Sequence, residues 1–452
     1  MKRRDFMGTA LTAGLTGTLS AYAKPTIPPT TFKTGTYKVL PAKIAGMSLE
    51  ELRDDYHDRL LNRYLPFWDR GGYDSELGGF MCELYDNGSV QNDEKYIWYQ
   101  GRGVWVYSFL YNNFGKDPRW LAVAKKSRDF MVKHMHAGNG MWHEAVNRSG
   151  KVMKSSGQGT SEDIYGAMFA ATGLAEYYKA AGKEEDIELA KTSILTSAKR
   201  YNDPDYGGVR LSGYPKRGLR SQGHSFMMVW TLTQLLNFHD DPLLDELARE
   251  HLDHIMNSFW NPDYGISNEI LEHDYSRISS IEKRTSPGHT IETQWMAMYE
   301  AIRIGNGTAF NILKTRVRRI LEMSWDYIFE GMGDTMYHVF AGSDHPAGPV
   351  FEVKTMWAHC EILIACMTIL EYTGDVWAKE WYERARGFTL RAMTTDHGVW
   401  RQAVDRFGED KKRESISIYR MGNFHQPRYM MMNMLSLDRM IKNEGKLTRF
   451  PL

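Results

Sequence analysis

The chain has 452 residues, enough for one large domain or two to three ordinary ones, and its 56 Lys plus Arg balance 56 Asp plus Glu. With zero net charge and no basic stripe, nucleic acid is not expected as the main ligand. The three cysteines, Cys82, Cys360 and Cys366, form neither a disulfide framework nor a zinc spacing, and the last two share an apolar run expected in the core.

Taken from the start, Lys2-Arg3-Arg4-Asp5-Phe6-Met7 reads as a twin-arginine export signal. A weakly apolar run to Leu19 follows, and then Ala21-Tyr22-Ala23, small residues that suit cleavage. The run is too short and too rich in Gly and Thr to span a membrane. The expected products are a leader over 1–23 and a periplasmic mature chain from Lys24, with no membrane span. Residues 24–45, rich in Pro, Thr and Lys, read as an extended arm, and 46–452 as a single catalytic domain.

From there helical periodicity dominates. Twelve runs emerge, over 48–66, 97–114, 118–136, 161–181, 184–201, 221–239, 242–258, 288–304, 308–328, 353–372, 375–393 and 427–442. Three segments share one spacing: Gly78-x-Phe80-x7-Gly88, Gly140-x-Trp142-x7-Gly150 and Gly398-x-Trp400-x7-Gly408. Each reads as an aromatic strand, a polar turn and a return before the next helix. Helices paired by short turns, with hairpin-bearing loops at alternate connections, predict an all-α (α/α)6 barrel. Inner-helix N-termini then converge on one face.

Two histidines start helices after long loops, in Pro287-Gly288-His289-Thr290-Ile291-Glu292 and Asn423-Phe424-His425-Gln426-Pro427-Arg428. The positive end of the helix dipole disfavours an imidazolium, so both are expected to be neutral bases near pH 7. For one such histidine alone, helix capping is the plainer role; the pair points to proton transfer. Arg102, in Trp98-Tyr99-Gln100-Gly101-Arg102, starts another inner helix and offers a fixed cation to a hydroxyl or an oxyanion. Glu292, one turn past His289, is expected to orient that imidazole or to bind hydroxyls. In Trp357-Ala358-His359-Cys360-Glu361, His359 and Glu361 face different sides, and Glu361 is favoured for the cavity. The 13 Trp and 25 Tyr suit a core or a sugar cleft equally.

These segments, with Lys95-Tyr96-Ile97 and Gly173-Leu174-Ala175-Glu176-Tyr177-Tyr178, resemble the N-acylglucosamine 2-epimerase superfamily over nearly all of the chain beyond the leader. The resemblance implies an (α/α)6 barrel and proton chemistry at C2 of a ring-opened mono- or oligosaccharide. It implies that His289 and His425 exchange that proton on opposite faces, Arg102 holds the enediolate and Glu292 orients His289 or holds hydroxyls. Trp98, Tyr99, His224, Trp357, His359, Glu361 and Arg428 are the expected substrate-binding residues. No metal or other cofactor is expected. A homodimer would match the common assembly of relatives, although no interface motif stands out. One region departs from the pattern. Many relatives carry a histidine followed three residues later by glutamate, whereas here Gln222-Gly223-His224-Ser225-Phe226 offsets the histidine and lacks the acid. That leaves the sugar open, as does export, because relatives are commonly activated by a nucleotide that is scarce outside the cytoplasm. The competing expectation is a polysaccharide lyase or glycoside hydrolase on the same barrel. For it Glu269, Glu292, Glu361 and Asp163 supply carboxylates but no spacing selects a pair.

Overall fold

Ser48 starts the helical array with a capping box, its hydroxyl accepting from Glu51 N while the Glu51 carboxylate accepts from Ser48 N. The computed structural model describes residues 33–153, 163–337, 348–410 and 422–451. The leader and residues 24–32 of the arm lie outside that range. Helix α1 (Leu49–Asp58) runs on through wider turns to Gly72. Five helix pairs and a last helix follow: α2 (Ile97–Asn113) with α3 (Pro118–Met135), α4 (Tyr165–Ala181) with α5 (Glu184–Tyr201), α6 (Gln222–Leu236) with α7 (Pro242–Asp253), α8 (Pro287–Arg303) with α9 (Gly307–Ser324), α10 (Met356–Thr373) with α11 (Val376–Phe388), and α12 (His425–Lys442).

Composition sorts the helices into two rings. In α10 every residue from Ala358 to Glu371 is buried, as expected for a helix packed on all sides, whereas α7 buries only the stripe Leu244, Leu247, Ala248, His251 and Leu252. The even-numbered helices pack side by side as the inner ring, with α1 and the other odd-numbered helices outside. The ring closes where Asn423 Nδ2 donates to Tyr99 O at 2.9 Å and Phe424 packs edge-on against Trp105. The fold is an (α/α)6 barrel. At the crossing of α2 and α4, a Cβ on Gly101 would lie 2.3 Å from Phe169 O, and one on Gly173 would lie 2.5 Å from Gly101 O. Only glycine permits that approach, and it sets Arg102 beside Phe169.

Inner-to-outer turns are short, while the outer-to-inner loops carry the β structure. The hairpins read from the repeat recur twice more. Tyr73 bridges Phe80, His136 pairs with Trp142, Trp260 with Ser267, Trp325 with Met332 and Thr394 with Trp400. Several helix limits move accordingly. The run over 308–328 stops at Ser324 because Trp325 enters a hairpin, and the one over 353–372 starts at Met356 because Lys354–Thr355 pairs with Ala403–Val404. Likewise 161–181 starts at Tyr165, 221–239 ends at Leu236, and the last run extends back to His425. The described part of the arm runs alongside later elements, with Thr36 bridging Asp375 and Val39 bridging Lys446. All three cysteines are buried, and no helix among the described residues is long and apolar enough to cross a membrane.

Two buried ion clusters fix the loops on either side of α12. Lys95 Nζ bonds Asp74 Oδ2 at 2.9 Å and the carbonyls of Gly78 and Arg148, while Arg148 Nε returns to Asp74 at 2.9 Å. Lys354, Asp326 and Arg406 repeat the arrangement, with Lys354 Nζ 3.1 Å from Asp326 Oδ2. Both lysine side chains are fully buried, so removing the acid strands a cation. Asp74→Ala is expected to cost about 3–5 kcal/mol in equilibrium denaturation.

Candidate active site

Four inner-helix N-termini bring their polar side chains together. His289 is the third residue of α8 and His425 the first of α12. Trp357, at the start of α10, lies between them, its ring 4.9 Å from that of His289 and 5.8 Å from that of His425. Close approach of α8 to α10 needs Gly288, where a Cβ would sit 2.6 Å from the Trp357 ring.

Each imidazole is held through Nδ1 by a different carboxylate. His425 Nδ1 lies 2.7 Å from Glu361 Oε1, and His289 Nδ1 lies 3.0 Å from Glu269 Oε2. A carboxylate acceptor fixes the hydrogen on Nδ1, leaving Nε2 as the working atom in both rings. Glu361 is fully enclosed and also accepts from Arg428 Nη2 at 2.7 Å and, on its other oxygen, from Trp295 Nε1 at 2.8 Å. Burial holds its carboxyl above the usual range, against the opposing pull of Arg428 and Trp295. Arg428 Nη2 donates equally to Glu292 at 2.7 Å and comes within 3.1 Å of His425 Nδ1.

The two histidines therefore differ in charge. Burial, Arg428 and Arg102 all act against a His425 imidazolium and hold it well below the usual histidine range. At His289 burial also acts downward, but the charge and hydrogen bond of Glu269, with Glu292 and Asp334 behind it, hold the imidazolium up to about 9. The expectation of two neutral histidines is thus corrected. A fractional dipole charge loses to a full carboxylate charge at 3.0 Å. Glu269 is held below the usual carboxylate range, with His289 and the Ser286 N–H outweighing its burial.

Other expectations are met or revised by geometry. Arg102 lies near the site, its guanidinium over Phe169 at 4.2 Å and Trp98 at 4.8 Å. Its Nε is buried without a hydrogen-bond partner, and no salt bridge to it is found among the described residues. Glu292 does not orient His289; it pairs with Arg428, and Glu269 takes the orienting place. Arg428, expected to bind substrate, is fully buried among Trp295, Phe424 and the two carboxylates. His359 points away from the site: its Nε2 accepts from Met332 N at 2.9 Å and its ring stacks on Phe388. Tyr99 is packed in a core cluster with Cys82, Tyr96 and Ala145. His224 sits apart from the two histidines, bonding Asp163 at 3.0 Å within a cage that includes Tyr165 and Tyr206. Phe226, from the divergent segment, packs 6.0 Å from the His289 ring.

Glu292, Glu361 and His425 place ligand-type atoms within 4.8 Å of one another, a cation-sized spacing. Arg428 already donates into both carboxylates, so a guanidinium fills that charge. The carboxylates raised for a hydrolase are likewise engaged: Glu269 by His289, Glu292 and Glu361 by Arg428, and Asp163 by His224.

The sequence profile of the N-acylglucosamine 2-epimerase (GlcNAc 2-epimerase) family matches residues 78–419. The chain belongs to that family. It is 25% identical to the N-acylglucosamine 2-epimerase of Bos taurus over 412 residues, covering 87% of this chain and 94% of that one. It is 21% identical to the cellobiose 2-epimerase of Bacteroides fragilis over 379 residues, covering 78% and 90%. The cellobiose 2-epimerase structure from Spirochaeta thermophila superposes with a TM-score of 0.72 at 16% identity, covering 87% of this chain and 98% of that one. Membership makes this chain a carbohydrate isomerase, and the barrel is the family's architecture.

Proposed function

We propose that the chain is an exported sugar 2-epimerase or aldose–ketose isomerase that uses His425 as base and His289 as acid. The observation that carries this reading is the pair of imidazoles on either side of Trp357, each held through Nδ1 by its own carboxylate. In the ring-opened aldose, His425 Nε2 takes the C2 proton and the electron pair moves onto the carbonyl oxygen, giving an enediolate. Arg102, whose guanidinium pairs with no carboxylate among the described residues, stabilises that oxyanion. His289 Nε2–H returns a proton to C2 from the opposite face as the oxyanion re-forms the C1 carbonyl, giving the epimer; return at C1, with the O2 proton passing to O1 and a carbonyl forming at C2, gives the ketose. Trp357 offers an apolar face to the sugar.

Proton NMR in D2O tests the reaction class. Purified protein is incubated with mannose, glucose, fructose, N-acetylmannosamine, N-acetylglucosamine, cellobiose and mannobiose. Loss of a C2 proton signal with a new epimer or ketose is expected for at least one sugar. Exchange in none of them would overturn the reading. Export is tested by fractionating cells that carry the native leader and a Lys-Lys replacement of Arg3-Arg4. Periplasmic protein is expected only from the former.

The pH dependence follows from the acid role. The imidazolium is present below about pH 9, so turnover falls as pH rises through that value. Glu269→Gln removes the holding charge, lowers the His289 pKa, and shifts the alkaline limb of kcat/KM to lower pH. An unmoved limb would show that Glu269 does not set the protonation of His289.

A further inference from the structure

On the face of the barrel opposite the histidines, charge gathers that the balanced composition hides. His425 and Lys442 are the first and last residues of α12, which at 1.5 Å per residue sets about 25 Å between them. Beyond Lys442 the C-terminal tail runs against the arm. Leu40 N donates to Gly445 O at 2.7 Å and Val39 bridges Lys446, while Tyr37 N donates to Gly374 O at 2.7 Å where α10 ends. The tail is fixed in turn. Thr448 Oγ1 donates to Glu371 at 2.8 Å, and the Phe450 ring packs 5.3 Å from that of Tyr372.

Both segments are basic. Residues 33–47 hold Lys33, Lys38 and Lys43 with no acid, and residues 442–451 hold Lys442, Lys446 and Arg449 against Glu444 alone. Lys38, Lys442, Lys446 and Arg449 line one open groove of about 1000 Å³. Lys442 suits the negative end of the α12 dipole, but Lys38 and Arg449 lie on no helix. Among the described residues Lys38, Lys442 and Arg449 form no ion pair, and Lys446 meets only Glu444, with 73% and 82% of the two side chains open. A pair so exposed contributes little. Val39, beside Lys38, is an apolar side chain left 59% open.

Anions are the complementary partner, and the geometry selects an extended one. The cations stand on long exposed side chains from two segments along an open groove, which suits many spaced charges better than one enclosed phosphate. An open apolar side chain among them suits the boundary between headgroups and acyl chains. We infer that this face docks on the anionic surface of a phospholipid bilayer, which leaves the histidine side of the barrel turned toward solvent.

Cosedimentation of the full chain with vesicles tests the inference. Binding is expected to phosphatidylcholine vesicles that contain one-third phosphatidylglycerol and not to phosphatidylcholine alone, and it should weaken as salt screens the charges. Each cation lost near such a surface costs about fivefold, so Lys38→Gln/Lys442→Gln/Arg449→Gln should weaken binding roughly a hundredfold. Lys133→Gln/Lys151→Gln, which removes two exposed cations on the histidine side, should bind as the parent chain does. Circular dichroism checks that both variants fold. Lys2, Arg3 and Arg4 stay in every variant, so binding carried by them would survive the triple substitution. Undiminished binding in the triple variant, equal binding to neutral vesicles, or release by inorganic phosphate but not by chloride at matched ionic strength would overturn the inference. The outcome is independent of the isomerase reading, because neither vesicle binding nor its loss bears on C2 exchange.

Discussion

His425→Asn should abolish deuterium entry at C2, whereas His289→Asn should abolish epimer formation yet leave slow exchange without inversion. The difference follows from the geometry. His425, neutral and held by Glu361, is the ring that takes the proton and can give deuterium back to the same face. His289, charged and held by Glu269, is needed only for return from the other side. General acid–base groups contribute about 10²–10⁴-fold, so epimer production in either variant should fall by roughly that factor. NMR in D2O reads both quantities in one experiment. Undiminished epimerisation in either variant would remove the proposed mechanism.

A large effect on stability is also expected at Arg428. Its side chain is fully buried, and one nitrogen, Nη2, donates to both Glu292 and Glu361. Arg428→Leu leaves two enclosed carboxylates without their cation, at a cost of about 3–5 kcal/mol. The loss should show as a lower denaturant midpoint, with recovery as the medium is acidified and the carboxylates take up protons. Arg428→Lys keeps the charge but not the planar guanidinium, and should recover only part of the loss. A midpoint unchanged in Arg428→Leu would mean that the carboxylates find another partner.

Much of the architecture was legible because three of the six inner helices are marked at their N-termini. Gly101-Arg102, Gly288-His289 and Phe424-His425 combine a close-packing or loop-ending residue with a polar one just before an apolar run. Glu361 and His359 part because two positions on a helix diverge by about 200°, and of the two only Glu361 meets His425. Glu269 was named only among carboxylates for a hydrolase, and its real partner was missed. It lies in a loop, 20 residues before His289, where no periodicity links the two. The hairpin repeat was undercounted for a different reason. Tyr275 stands where the other turns have Gly88, Gly150 and Gly408, yet its φ of 65° falls in the same left-handed region. Its N–H bonds Glu272 O just as Gly88 N bonds Tyr85 O, so one turn persists under an altered residue.

The ionisable groups around the histidines also determine how the site meets solvent. Arg102, Arg428 and charged His289 oppose Glu269, Glu292 and Glu361, and His425 adds nothing while neutral. Moving a proton from sugar to His425 creates an anion and a cation together inside the same enclosure. The total never changes, so no counter-ion has to enter or leave during turnover. Salt should therefore leave the chemical step untouched.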